Sequence, residues 1–166
     1  YHTKDIKKYI FRLFIFSIIS HFAYAICFGG TFIPFQYGIF SQTSVIWSLM
    51  WGLIALATVK NENKKLNPLL KIIIVFVCCI IAAPADWSIA APLAIVLIGI
   101  NRGNFKRQML GLLLPVALYS YGYATSFDMT YGLVQMAVVL SIPFLYFYNG
   151  QKGQIKSLKW VFYIYY

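Results

Sequence analysis

Apolar residues gather into long runs along this chain, and polar residues gather between them. The runs cover Tyr9–Phe28, Ser44–Val59, Leu69–Ala83, Trp87–Ile100, Met109–Ala124 and Met129–Tyr148, and a seventh begins near Trp160. Polar or Gly/Pro-bearing breaks separate them, which predicts an all-α bundle of about six transmembrane helices plus the start of a seventh. The first and last of the six are long enough to span a bilayer. The middle four hold only 14–16 residues, fewer than the ~20 of a straight span.

Composition supports a lipid environment. The chain has 166 residues, of which 61% are hydrophobic and only 11% charged, with a mean hydropathy of +0.73. A soluble domain carries roughly 25% charged residues. Tyr and Phe number 13 and 14, residue types that sit well at lipid headgroups. The length allows one domain, a single transmembrane domain over residues 1–166. The chain starts on Tyr1 and stops within the aromatic run Trp160–Tyr166, so both ends are expected to continue into a longer protein.

A net charge of +10 would suggest a nucleic-acid partner in a soluble protein. Here the placement of charge argues for topology instead. Lys4, Lys7, Lys8 and Arg12 lie at the start of the first run, and Lys60, Lys64, Lys65 and Lys71 lie around the break after the second. Arg102, Lys106 and Arg107 follow the fourth, and Lys152, Lys156 and Lys159 follow the sixth. Together these are all 14 Lys and Arg residues. The intervening loops have none. By the positive-inside rule the basic loops and both ends are expected in the cytoplasm, and the alternation sets the segment count at six.

Cys27, Cys78 and Cys79 show neither CxxC nor metal-ligand spacing, so all three are expected to be small buried apolar residues and no metal is expected.

Ionisable residues at membrane depth are costly and so mark candidate sites, although polar residues also glue helices together. His21 lies nine residues past Arg12, which puts it ~14 Å deeper along a helix. Ser17, Ser20, His21 and Tyr24 share the i, i+3, i+4, i+7 spacing of one face, so that face should point into the bundle or a wet cavity. Asp86 sits in the break Ala82–Trp87. Thirty residues separate Lys71 from Arg102, and half of that makes a helix of only ~22 Å. The tip of this hairpin should therefore stop short of the outer surface, with Asp86 facing a cavity open to the outside; an N-cap role is the alternative. Asp128, Tyr131 and Gln135 share a second polar face. Tyr119 and Tyr123, with Ser120 beside them, read as interfacial aromatics. Pro115 and Pro143 read as kinks. GxGxxG, P-loop, HExxH and GxSxG are all absent. Spacing alone thus gives a helical membrane bundle holding a histidine and a carboxylate, and no reaction.

Several stretches resemble the TraX-type family of membrane acetyltransferases, named for the conjugative pilin acetylase. They are Tyr1–Tyr9 running on to Ser20-His21-Phe22, the pair Asp86-Trp87 opening a short apolar helix, Tyr148-Asn149-Gly150 followed by Lys152-Gly153, and the ending Trp160–Tyr166. The resemblance implies transfer of an acetyl group from acetyl-CoA to an amine or hydroxyl acceptor, a protein or glycan, on the outer side of the bacterial cytoplasmic membrane. The family pattern also holds an Asp-His pair ahead of this stretch and a Pro-x-His after the aromatic run, and neither falls within residues 1–166. If those groups are catalytic, His21 and Asp86 are supporting residues.

Acyl transfer needs a base, usually His, and a carboxylate can orient it and balance its charge. His21 and Asp86 are the expected pair, sharing one cavity. Ser17, Tyr24, Asp128, Tyr131 and Gln135 are the expected substrate-binding positions. Arg12, Lys71 and Arg102 suit the phosphates of the CoA donor, although topology alone accounts for their charge. A small-solute transporter or channel is the alternative, since its sites also lie at midplane among broken helices; the chain shows no repeat symmetry to support it. A structural subunit without chemistry is a third.

Overall fold

A computed structural model describes residues 6–29, 43–60 and 66–147. The Asn61–Lys65 run, Tyr148-Asn149-Gly150, Lys152-Gly153, the start of a seventh helix at Trp160 and the outermost basic residues lie outside them. Every regular element among the described residues is helical. They are α1 (Ile6–Gly29), α2 (Val45–Val59), α3 (Pro68–Ala82), α4 (Ala90–Ile100), α5 (Phe105–Ser126), α6 (Met129–Gln135) and α7 (Ser141–Phe147), with a 3₁₀ stretch, Met136–Leu140, joining the last two. Two runs are long and apolar enough to cross a membrane, Ile6–Cys27 and Met129–Phe147.

Local chemistry explains where the elements depart from the apolar runs. Asn104 caps α5 by accepting the Arg107 N–H at 3.2 Å, which pulls Lys106 and Arg107 into the helix. α5 thus has 22 residues, longer than its apolar run. α4 has 11, shorter than its run, because Ser88 adopts a left-handed φ of 43° and holds residues 86–89 in turns. The sixth run is broken into α6 and α7. Pro143 lacks an N–H and its ring crowds the Val139 carbonyl, and the helix tightens to 3₁₀ over the turn ahead of it. Pro115, by contrast, sits within an uninterrupted α5.

α2 is the hub. It packs on α1, α3 and α4; α4 also packs on α5, and α5 on α6. The expected α3–α4 hairpin has its tight tip, but the two helices barely touch along their lengths and lean separately on α2. Small residues let α2 and α4 meet: a Cβ on Gly52 would lie 2.9 Å from Pro92 Cα. Leu13, Ile46 and Met50 form one core cluster between α1 and α2, and Ala55, Cys78 and Val96 form another where α2, α3 and α4 converge.

Small polar side chains share the interior with apolar ones, and many large apolar side chains lie on the surface. Ser17, Ser20, His21, Ser48 and Ser120 are buried, while Ile72, Phe76, Leu110, Leu114 and Leu118 are each about 60% exposed or more. Cys78 and Cys79 are buried as expected, but Cys27 is exposed. It follows Ser20 and Tyr24 at helical spacing but lies close to the C-terminal end of α1, past the buried Ser17–Ser20–His21 stretch.

Candidate functional site

The polar face of α1 turns inward at its C-terminal half, where α2 begins. The Ser20 and Ser44 hydroxyls are 2.7 Å apart. Ser44 stands at the N-cap of α2 but makes no side-chain cap bond, since its oxygen is turned to α1. Ser17 donates within its own helix to the Phe14 carbonyl at 2.7 Å. His21, 4% exposed, has Nδ1 3.2 Å from the Thr43 hydroxyl.

Thr43 links this face to the α3–α4 tip. Its N–H donates to the Pro84 carbonyl at 3.1 Å, and its carbonyl accepts from the Asp86 N–H at 3.2 Å. These two bonds make an isolated parallel bridge between Thr43 and Ala85. They satisfy buried backbone groups that no helix can serve and fix the tip against the start of α2. The Tyr24 side chain, one turn beyond His21, lies close to the Asp86 side chain.

α5 supplies the other wall. Tyr119 donates to the Asp86 backbone carbonyl and stacks on Trp87, with centroids 6.1 Å apart and planes at 16°. Its oxygen lies 3.1 Å from the Tyr123 hydroxyl and accepts that hydroxyl's proton. Beside this wall lies a cleft of about 330 Å³ between the ends of α4 and α5, lined by Ser88, Leu93, Tyr119, Tyr123 and Phe127 among others.

Thus Ser17, Ser20, His21, Tyr24 and Asp86 belong to one connected region. His21 and Asp86 are joined by way of Thr43. Asp86 itself is exposed and His21 is not. Asp128, Tyr131 and Gln135 lie apart, on a helix whose packing partner is α5. Asp128 stands at the N-cap of α6 without a side-chain cap bond, Tyr131 is largely exposed and Gln135 half-buried. Lys71 and Arg102 stand at the opposite end of the helices, while Arg12 lies within α1 next to Leu13, which packs on Ile46 and Met50. Lys71 donates to the Val59 carbonyl at 3.0 Å, closing the C-terminus of α2, while Arg12 and Arg102 are exposed.

Sequence reasoning missed Thr43 and Ser44. Their one local signal is Thr-Ser ahead of an apolar run, which reads as a helix N-terminus; the partners that give them more than that lie 22 and 24 residues away. Tyr119 and Tyr123 do more than line an interface, since Tyr119 is bonded to the hairpin tip.

No curated protein and no solved structure matches the chain. A family model described as TraX protein matches residues 1–166, and the chain therefore belongs to the TraX family.

Proposed function

We propose that this chain is a single membrane-embedded domain of an acetyltransferase that uses acetyl-CoA and acts on a protein or glycan amine or hydroxyl on the outer side of the bacterial cytoplasmic membrane. The burial of serines and a histidine between helices, with large apolar side chains facing outward, supports the membrane setting, because small and polar side chains fill helix contacts in lipid. The alternating basic loops support a six-span topology with both ends cytoplasmic. Family membership supports acyl transfer.

The observation that carries the site is the His21–Thr43–Asp86 link. In the proposed reaction the acceptor nitrogen or oxygen attacks the thioester carbonyl carbon, and the imidazole of His21 takes the acceptor's proton. The C–S bond then breaks. CoA leaves as a thiolate, which recovers that proton from the imidazolium. The carboxylate of Asp86, a residue tied to Thr43 through its backbone N–H, balances the positive charge that forms on His21. Burial of His21 keeps water from competing for the acyl group. Arg12 and Arg102, both exposed, suit the phosphates of a donor that approaches from the cytoplasmic side.

The test is acetyl transfer from radiolabelled acetyl-CoA by the full-length protein in membranes. His21→Ala should lower the rate by about 10²–10⁴-fold, the scale of a general base, at unchanged expression. A normal rate would return His21 to a supporting hydrogen-bonding role. Solute flux into proteoliposomes without any acyl transfer would favour a transporter.

A further inference from the structure

α3 and α4 splay apart on α2 and leave a groove of about 830 Å³ between them. Its walls are almost wholly apolar: Val75, Phe76 and Ile80 come from α3, and Leu93, Val96 and Leu97 from α4. Ala83 and Ile89 mark its far end, where the residue 83–89 turn closes it. Lys71 and Val59 mark the other end. Among the described residues lining it, Lys71 alone carries charge. Its Nζ lies 3.0 Å from the Val59 carbonyl, which brings it beside the exposed Lys60 at the end of α2.

We propose that this groove is a binding site for an anionic phospholipid of the cytoplasmic leaflet, one acyl chain lying between α3 and α4 and the phosphate resting on Lys60 and Lys71. The proposal rests on the membrane reading above and adds a ligand that acyl transfer does not require. Two features select a lipid tail. From Lys71 to Ala83 the groove runs 12 residues of helix, or ~18 Å. One leaflet of a ~30 Å hydrocarbon core is about 15 Å deep, so a single chain fills the groove from end to end. Close-packed protein leaves few voids of this size, and nothing polar in the walls would hold water there. The mouth selects the headgroup. Lys71 spends one of its three donors on Val59 and directs the same ammonium charge to the leaflet surface, where Lys60 adds a second. Basic residues at an anionic surface contribute about 1 kcal/mol each. An occupied groove would also keep α3 and α4 at a fixed separation, and so hold the Asp86 tip between them.

The full-length protein, extracted from membranes, would be exposed to equal amounts of phosphatidylglycerol and phosphatidylethanolamine, each with a photoreactive group midway along one acyl chain. Retained lipid would be weighed by native mass spectrometry and adducts mapped by peptide sequencing. Phosphatidylglycerol should be retained in preference, with adducts concentrated on Phe76, Ile80 and Leu93. Lys60→Gln, which leaves the Lys71–Val59 contact in place, should lower that retention by about fivefold. Equal retention of the two lipids would overturn the proposal. So would adducts spread evenly onto the outward face of α1 at Phe11 and Ile19, or a groove crosslinked to a second protein chain. Any of these from a membrane-extracted protein leaves the membrane reading intact. Recovery of the protein from the soluble fraction would end both.

Discussion

α2 meets its two neighbours α4 and α1 by different means. Toward α4 it offers Gly52 and Ala55, and the helices approach until backbone meets side chain, with almost no polar contact. Toward α1, at its N-terminal end, it meets Ser20 through Ser44, and Thr43 just ahead of it meets His21. The first contact depends on shape. It sets how far apart the helices stand and tolerates no added volume. The second depends on direction. A hydroxyl pair at 2.7 Å fixes which face α1 turns inward and at what height. In lipid, interhelical hydrogen bonds contribute about 0.6 kcal/mol on average and about 1.7 at most. Polar links of that size orient α1; they do not hold the bundle together. Stability therefore resides in the α2–α4 contact, and site geometry in the α1–Thr43–tip contact.

This division can be broken from either side. The largest effect should come from Gly52→Leu, whose side chain would occupy the space of Pro92 and Ile95. Pro92 Cα is backbone and cannot swing away, so the helices must separate. Loss of the folded protein, seen as proteolysis in membranes and aggregation on extraction, is the expected result; a variant of normal thermal stability would show that shape does not govern this contact. Thr43→Val should act the other way. The backbone bridge to Pro84 and Asp86 survives, while the His21 Nδ1 contact is lost. A hydrogen bond of about 1 kcal/mol corresponds to a roughly fivefold to tenfold fall in transfer rate at unchanged melting temperature. Thr43→Ser, which keeps the hydroxyl, should restore the rate. The smallest effect is expected at Asp128→Asn. Asp128 makes no side-chain cap bond and sits on a helix packed against α5, so acetyl transfer should change by less than about twofold, within surface-substitution effects. A large loss there would bring the Asp128–Tyr131–Gln135 face back into the substrate path.

The same division explains what could be read from the sequence. The number of helical runs was legible because every basic residue clusters at or beside alternate breaks. The inward face of α1 was legible because Ser17, Ser20 and His21 recur at helical spacing among Ile and Phe. Both signals are local. Thr43 was not legible, since its neighbours in sequence say nothing of a partner on α1 or at the hairpin tip. The full length of α5 was hidden for a different reason: Asn104 caps a first turn that carries Lys106 and Arg107, and an apolar-run criterion stops where charge begins. The splay of α3 from α4 was hidden as well, because it depends on how each side packs on α2 rather than on the short connection between them.

The Thr43 bridge also sets an order of assembly. A ribosome releases α1 and α2 before it has made residues 84 and 86. Until those residues arrive, the peptide groups of Thr43 lack the partners that the finished protein gives them, and in lipid an unmatched peptide group costs several kcal/mol. The first two helices can form as a pair, but the strap between Thr43 and the tip can close only after α3 has been made and the chain has turned back. The region around His21 is therefore a late product of biogenesis, completed by a segment 41 to 43 residues downstream of Thr43. A nascent chain stalled before Asp86 would hold its two hydroxyl-bearing helices without the clasp that orients them.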